Sequence, residues 1–426
     1  MRRIAERLSA VFSRELGENT RRLLAGLASV GPLFVMARAL TAVAQIAAGR
    51  LLGPAEFGVV TLILAGSGLM LFFLQLSFPW TVAKFAPLEK TEAGRRGVVS
   101  TSFWLQLLWS ATAMLVLLIL REPAAHALHL SFRLYLWCLG YTGVQLFYGF
   151  VSSALLAVTL FAARGKVELL YGAATLIVFS VGCLFASRNF VTFIGAMEVA
   201  MILSSAASLY YLRDYLGPVF SRRAASDLAP YLLPGFVSSC GGVVIQSALP
   251  LILAAYRTPR EIGIFGAYEM GTIGVMMVLV NIILSVLTPL ASRPERQKGV
   301  WKKFFLLCVP GAAAAFVFFF VSEIVILKLI GKGYPIDLRW IALFSAAAVA
   351  DFYFFLTGSL LTLRDVSATW LGVVGSYLAS AVALVVSSWG VPRLGIAGAA
   401  LALFIGYGVG SVWLAVQGWL RVRNDP

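Results

Sequence analysis

The apolar positions of this chain come in long unbroken blocks, at residues 25–49, 57–78, 98–120, 134–160, 167–186, 190–212, 230–255, 262–289, 304–327, 338–362, 368–389 and 395–419. Each is close to the roughly 20 residues that cross about 30 Å of hydrocarbon, and about twelve of them follow one another. Lipid offers no hydrogen bonds to a backbone, so each block is expected to be a helix that satisfies its own amides. No block shows the alternation of a half-buried strand.

Composition sharpens this picture. Hydrophobic residues make up 60% of the 426 residues and charged residues 12%, about half the roughly 25% of a soluble domain. The connections between blocks are short, leaving no extramembrane domain to host chemistry. Cys138, Cys183, Cys240 and Cys308 all fall inside blocks, where they act as small apolar residues and supply neither disulfides nor a metal knuckle. His126 and His129, spaced i, i+3 in a connection, lack a third ligand and are expected to be solvated.

The net charge of +15 comes from 34 Lys and Arg against 19 Asp and Glu. Roughly two thirds of the cations fall in the connections on the side of the N-terminus, which places both termini in the cytoplasm. A clustered soluble basic surface, as nucleic acid would need, is missing. Residues 1–22 place Ile4, Leu8, Val11, Phe12 and Leu16 at helical spacing among arginines, the pattern of an amphipathic segment on the inner leaflet or a basic tail.

The chain repeats itself. Pro54-x-Glu56-x-Gly58 returns as Pro259-x-Glu261-x-Gly263, and Phe147 and Tyr148 return at the same separation as Phe352 and Tyr353. Arg164 and Arg364, and Gly195 and Gly398, follow at nearly the same separation. An even number of spans per half makes the halves parallel repeats about an axis along the membrane normal. The organisation expected is a segment 1–22, an N-lobe 23–215, a cytoplasmic linker 216–229, a C-lobe 230–420 and a tail 421–426. Each Pro-x-Glu-x-Gly is then an architectural turn between the first two helices of its lobe.

Four ionisable residues stand well inside blocks: Arg38, Glu198, Glu269 and Asp351. Burying each costs about 2.5 kcal/mol or more. Their repeat counterparts are Val243, Leu401, Leu64 and Leu146, so the charges serve something other than the shared scaffold. Arg38 lies about 20 Å into its span at a 1.5 Å rise per residue, too deep to snorkel readily. Thr41 and Gln45 extend it into a polar stripe; Ser239, Gly242 and Gln246, and then Asn281, Ser285 and Thr288, draw two more. Such stripes either line a hydrated cavity or glue helices together. A guanidinium there suits a phosphate; the alternative is an ion pair with Glu269 or Asp351. Those carboxylates could also carry protons or serve as gating groups. Candidate substrate-binding residues are therefore Arg38, Thr41, Gln45, Gln246 and Asn281, with Glu269 and Asp351 for ion coupling or gating. Glu198 sits on a helix that need not face a cavity.

Together, GRLLGPAEFGVV (49–60), EIGIFGAYEMG (261–271), GKGYP (331–335) and LGIAGAALAL (394–403) make the chain resemble the polysaccharide transporters of the multidrug/oligosaccharidyl-lipid/polysaccharide exporter (MOP) superfamily. The resemblance implies an all-α polytopic membrane protein with two six-helix lobes in a V, as in multidrug exporters of the MATE type. It also implies a central cationic cavity and alternating access that moves a polyprenyl-diphosphate-linked oligosaccharide outward across the bacterial cytoplasmic membrane. No cofactor or metal is implied, though an H+ or Na+ gradient can drive such a cycle. The partners implied are the lipid-linked sugar, membrane lipids, and a polysaccharide polymerase or glycosyltransferases, with no nucleic acid. MARALTAVAQIAAGRLLG (36–53) is similar to the first helix of lipid II flippases, and Arg38 falls on an arginine of that pattern. Ala44 and Gln45 stand where those flippases have arginine and aspartate, which argues against lipid II itself.

Three rivals remain at this level. A drug or cation antiporter of the same superfamily would place a carboxylate where Arg38 stands. A membrane enzyme of polysaccharide assembly would need a longer outer loop with clustered polar groups. A subunit with this fold could serve mainly as a partner in a larger assembly.

Overall fold

The computed structural model describes residues 18–280, 283, 294–362 and 366–424. Among these no strand occurs. The first two expected spans are two helical arms, labelled together as α1 (Glu18–Gln75), that meet at a non-helical turn at Gly53, whose φ is 75°. Glycine alone takes that conformation without a steric penalty, and Pro54 then starts the returning arm. Next come α2 (Phe78–Phe85), α3 (Glu92–Ile119), α4 (Arg121–Ala127), α5 (Phe132–Ala157), α6 (Phe161–Phe185) and α7 (Phe190–Leu212). The second half holds α8 (Arg222–Tyr256), α9 (Pro259–Glu269), α10 (Pro294–Ile330), α11 (Leu338–Thr362), α12 (Val366–Leu394) and α13 (Ile396–Asn424). Among the described residues nine stretches are long and apolar enough to cross a bilayer, the first holding both arms of α1, and the 16-residue stretch Gly241–Tyr256 of α8 is a shorter apolar helix.

Helix starts follow local chemistry. Thr91, Ser131, Asn189 and Ser221 cap α3, α5, α7 and α8 through their side-chain oxygens, satisfying amides that no preceding turn can reach. Thr258 and Glu261 form a reciprocal capping box at α9, with Pro259 in its first turn. A π-helical turn, Met270–Gly274, follows Glu269 directly.

Within the first half α1 packs on α6, α6 on α7, and α5 on α7; within the second, α13 packs on α11 and α12, and α8 on α12. The returning arm of α1 fills the seam between the halves, against α9 at one end and α8 toward the other. At the arginine-poor face the two Pro-x-Glu-x-Gly motifs meet each other. A β-carbon on Gly58 would collide with the Pro259 carbonyl, and one on Gly263 with the Pro54 carbonyl. The repeat therefore encodes more than two separate turns: it builds a reciprocal backbone contact across the pseudo-twofold axis. The motif carboxylates diverge, Glu56 accepting from the Phe190 amide at 2.8 Å and Glu261 serving its own cap.

The segment 331–337 closes this end. Tyr334 donates its hydroxyl to the Gly49 carbonyl at 3.0 Å and meets Phe57 edge-on at 6.5 Å between ring centres. Burial pushes the Tyr334 hydroxyl above its ordinary range, so it remains a proton donor. Tyr268 anchors the same segment, donating to the Pro335 carbonyl at 2.7 Å and accepting from the Asp337 amide at 3.2 Å. Tyr334→Phe deletes the one hydroxyl that ties this segment to α1. It is expected to cost about 1 kcal/mol of closure, read as a several-fold faster reaction of a cysteine replacing the buried Thr61, which lies against Gly266 across the seam, with a membrane-impermeant thiol reagent. An unchanged rate would show that the bond does not hold the seal.

Candidate functional site

Arg38 lies on the outgoing arm of α1, below the closed end. Its side chain is exposed, and among the described residues it makes no ion pair with Glu269, Asp351 or any other carboxylate. The neighbouring Ala37, Leu40 and Thr41 fit against Gly172 of α6, where a β-carbon would come within 2.7 Å of the Ala37 carbonyl. That packing holds this turn of α1 against α6, and Arg38 stands in the same region as Tyr148 of α5 and Tyr171 and Arg164 of α6.

The other candidates on this stripe behave differently. Thr41 is half-buried and donates to the Ala37 carbonyl of its own helix at 3.0 Å, so its hydroxyl is already committed. Gln45 is half-buried one turn further along. Asn281 lies outside the described residues, as do Ser285 and Thr288.

A second group forms in the other half. Asp351 of α11 is fully buried, and neither carboxylate oxygen has a hydrogen-bond partner. Glu269 of α9, Gln246 of α8 and Tyr407 of α13 lie in the same region. Glu269, Asp351 and Gln246 thus share one neighbourhood, and Arg38 belongs to another.

Two acidic residues were not singled out from the sequence. Glu323 of α10 is fully buried with both oxygens unpartnered. It presses against Gly271 of the π-turn, where any β-carbon would overlap its carboxylate. Ser322 beside it donates to the Gly271 carbonyl at 3.0 Å. Single π-turns of this kind recur at functional positions, and here the widened turn receives a charged side chain. The signal was present in FFFVSEIVILKLI (318–330), a lone carboxylate in an apolar run. Glu168 of α6, buried near the start of its span, accepts from the Ser152 hydroxyl at 3.3 Å. Glu198 is half-buried on α7 near Tyr141.

The helical architecture and the repeat related by a pseudo-twofold axis give a two-lobe fold, V-shaped as in MATE transporters of known structure. Solved structures agree. An inward-facing multidrug resistance MATE family transporter of the MOP superfamily superposes with a TM-score of 0.61 at 14% identity, covering 92% of this chain and 94% of that one. The outward-facing structure of such a transporter gives 0.62 at 13%, covering 93% and 95%, and MATE in complex with MaD3S gives 0.62 at 14%, covering 94% and 96%. A family model described as polysaccharide biosynthesis protein matches residues 48–335, and the chain belongs to that family. No curated protein matches it.

Proposed function

We propose that this protein flips a polyprenyl-diphosphate-linked oligosaccharide from the inner to the outer leaflet of the bacterial cytoplasmic membrane, by alternating access and without catalysing a covalent step. Both termini then lie in the cytoplasm, and the face sealed by Gly58, Gly263 and Tyr334 is the outer one. The observation that carries this reading is Arg38: an exposed guanidinium deep in a span that forms no ion pair among the described residues. A membrane-embedded cation left unpaired is costly unless it meets water or an anion, and a guanidinium binds phosphate oxygens in a bidentate fork. Family membership in polysaccharide biosynthesis supports a sugar-linked cargo, and the transporter fold supports movement across the membrane. A drug or cation antiporter would need the opposite charge at this position.

The reading is tested by reconstituting the purified protein in liposomes with a fluorescent polyprenyl-diphosphate sugar and following its accessibility to a membrane-impermeant quencher. Movement no faster than in protein-free vesicles would refute it. In cells, loss of surface polysaccharide in a deletion strain supports the flippase, whereas drug sensitivity with intact polysaccharide supports the antiporter.

Asp351 and Glu269 are the proposed coupling pair for an H+ or Na+ gradient. A fully buried carboxylate without a partner is penalised by several kcal/mol, so Asp351 requires a proton or a bound cation in this state. Asp351→Asn is expected to reduce gradient-driven flipping to the rate seen without a gradient, measured in proteoliposomes with an imposed proton or sodium gradient. A normal gradient response in that variant would remove Asp351 from coupling.

A further inference from the structure

Arg164 lies in the first turn of α6 and was expected in a solvated connection. Its guanidinium instead stands 5.6 Å from the centre of the Phe34 ring. Phe34 precedes Arg38 by one turn on the same helix, about 6 Å along its axis, so Arg164 approaches α1 one turn before Arg38. Among the described residues one carboxylate stands near Arg164, that of Glu168 at 3.8 Å, beyond hydrogen-bond reach. Glu168 meanwhile accepts from the Ser152 hydroxyl. The Arg164 Nε is buried without a hydrogen-bond partner, and so is the hydroxyl of Tyr148, whose ring stacks on Tyr171 at 5.3 Å.

The cluster thus holds two cations and one carboxylate, with donors that no protein acceptor satisfies. Its excess charge and its unused N–H and O–H groups complement a phosphate. A structural ion pair at the same place would bring the Glu168 oxygens to within about 3 Å of the guanidinium nitrogens.

We propose that Arg164 is a second anion-binding residue, forming with Arg38 and the Tyr148 hydroxyl a phosphate seat between α1, α5 and α6, and that Glu168 is a resident counter-anion which the phosphate displaces. Resting on the function proposed above, the phosphate is that of the lipid carrier. Arg164, at the helix end nearer the arginine-rich face, meets it first and Arg38 receives it one turn deeper. Glu168 keeps Arg164 from binding so tightly that release fails, because it returns to the guanidinium as the phosphate leaves.

The test uses the full chain in phosphatidylcholine nanodiscs, titrated with inorganic pyrophosphate and read by intrinsic tryptophan fluorescence. Arg164→Ala is expected to weaken binding about tenfold or more, as loss of a charge-assisted contact does. Glu168→Gln keeps a partner for Ser152 but removes the competing charge, and is expected to tighten binding roughly threefold. A structural role for the pair predicts the opposite sign, so unchanged or weaker binding in Glu168→Gln overturns the proposal. That variant also decides the matter if Arg164→Ala fails to fold.

Adding phosphatidylglycerol separates the two sources of phosphate. Unaltered pyrophosphate affinity supports a seat for the carrier diphosphate, whereas loss of the response assigns the seat to bulk lipid headgroups and overturns the carrier assignment. The seat and the transport reading fail separately. Normal flipping with no effect of either variant on pyrophosphate removes the seat alone. Pyrophosphate binding that follows the variants, with no flipping of the lipid-linked sugar, removes the transport reading alone.

Discussion

Arg38→Ala is expected to lower the initial rate of lipid-linked sugar flipping by about 100-fold or more while leaving the folded protein intact. A bidentate guanidinium–phosphate contact supplies two charge-assisted hydrogen bonds, each contributing about 1.5–3 kcal/mol, and about 1.4 kcal/mol is a factor of ten. The fold should tolerate the change because Arg38 is exposed and, among the described residues, pairs with no carboxylate that its loss would strand. Truncation leaves no buried charge uncompensated, which is the usual reason such substitutions unfold a protein. Arg38→Lys retains charge but loses the fork and is expected to fall between the two. The quencher assay in liposomes, normalised to reconstituted protein, measures all three. Unimpaired flipping in Arg38→Ala would remove this residue from the mechanism.

Gly58→Val is the second large effect. The position admits no β-carbon, because the Pro259 carbonyl already occupies that space and the Gly263 amide lies beside it. Forcing side-chain atoms into a packed contact costs about 1–3 kcal/mol or more, and here both opposing atoms belong to backbone and cannot rotate away. The two lobes must then separate at this end. Closed and open populations are expected to shift by about tenfold or more toward open, read as faster labelling of a cysteine replacing the buried Thr61 in a background without the four native cysteines. Gly263→Val should act alike, being the reciprocal half of the contact. Gly195→Ala is the control: nothing lies within 4 Å of its would-be β-carbon, and labelling should not change. Equal labelling in Gly58→Val and the parent would show that this contact does not control access.

The membrane spans were legible because lipid demands long apolar helices with internally satisfied backbones, a requirement written residue by residue. The turn joining the first two spans was legible as well, in Gly53 and Pro54; the positive φ of 75° that Gly53 adopts there is the part that only the structure shows. The repeat was visible as matching residues, but not the touching of its copies, since no property of one Pro-x-Glu-x-Gly says what it will pack against.

Charges near span ends were the weakest part of the reading. Arg164 and Glu168 stand where a connection gives way to a helix, and Glu323 stands a few residues before Lys328. Snorkelling is the ordinary expectation for such positions, and only tertiary packing shows that Glu323 is fully enclosed and that Arg164 lies over Phe34. Arg38 could be singled out because its depth rules out snorkelling, yet its neighbours on α5 and α6 are distant in sequence.

The mutual collision of Gly58 with Pro259 and of Gly263 with Pro54 has the form of an isologous interface, in which each surface patch meets its own equivalent. Two separate six-helix chains, related by a dyad, could make this junction with one gene. Fusion of such a pair would preserve the hinge while freeing each half to change alone. A guanidinium in one lobe and an unpaired acid in the other are the kind of difference that only a fused, no longer symmetric, descendant can carry.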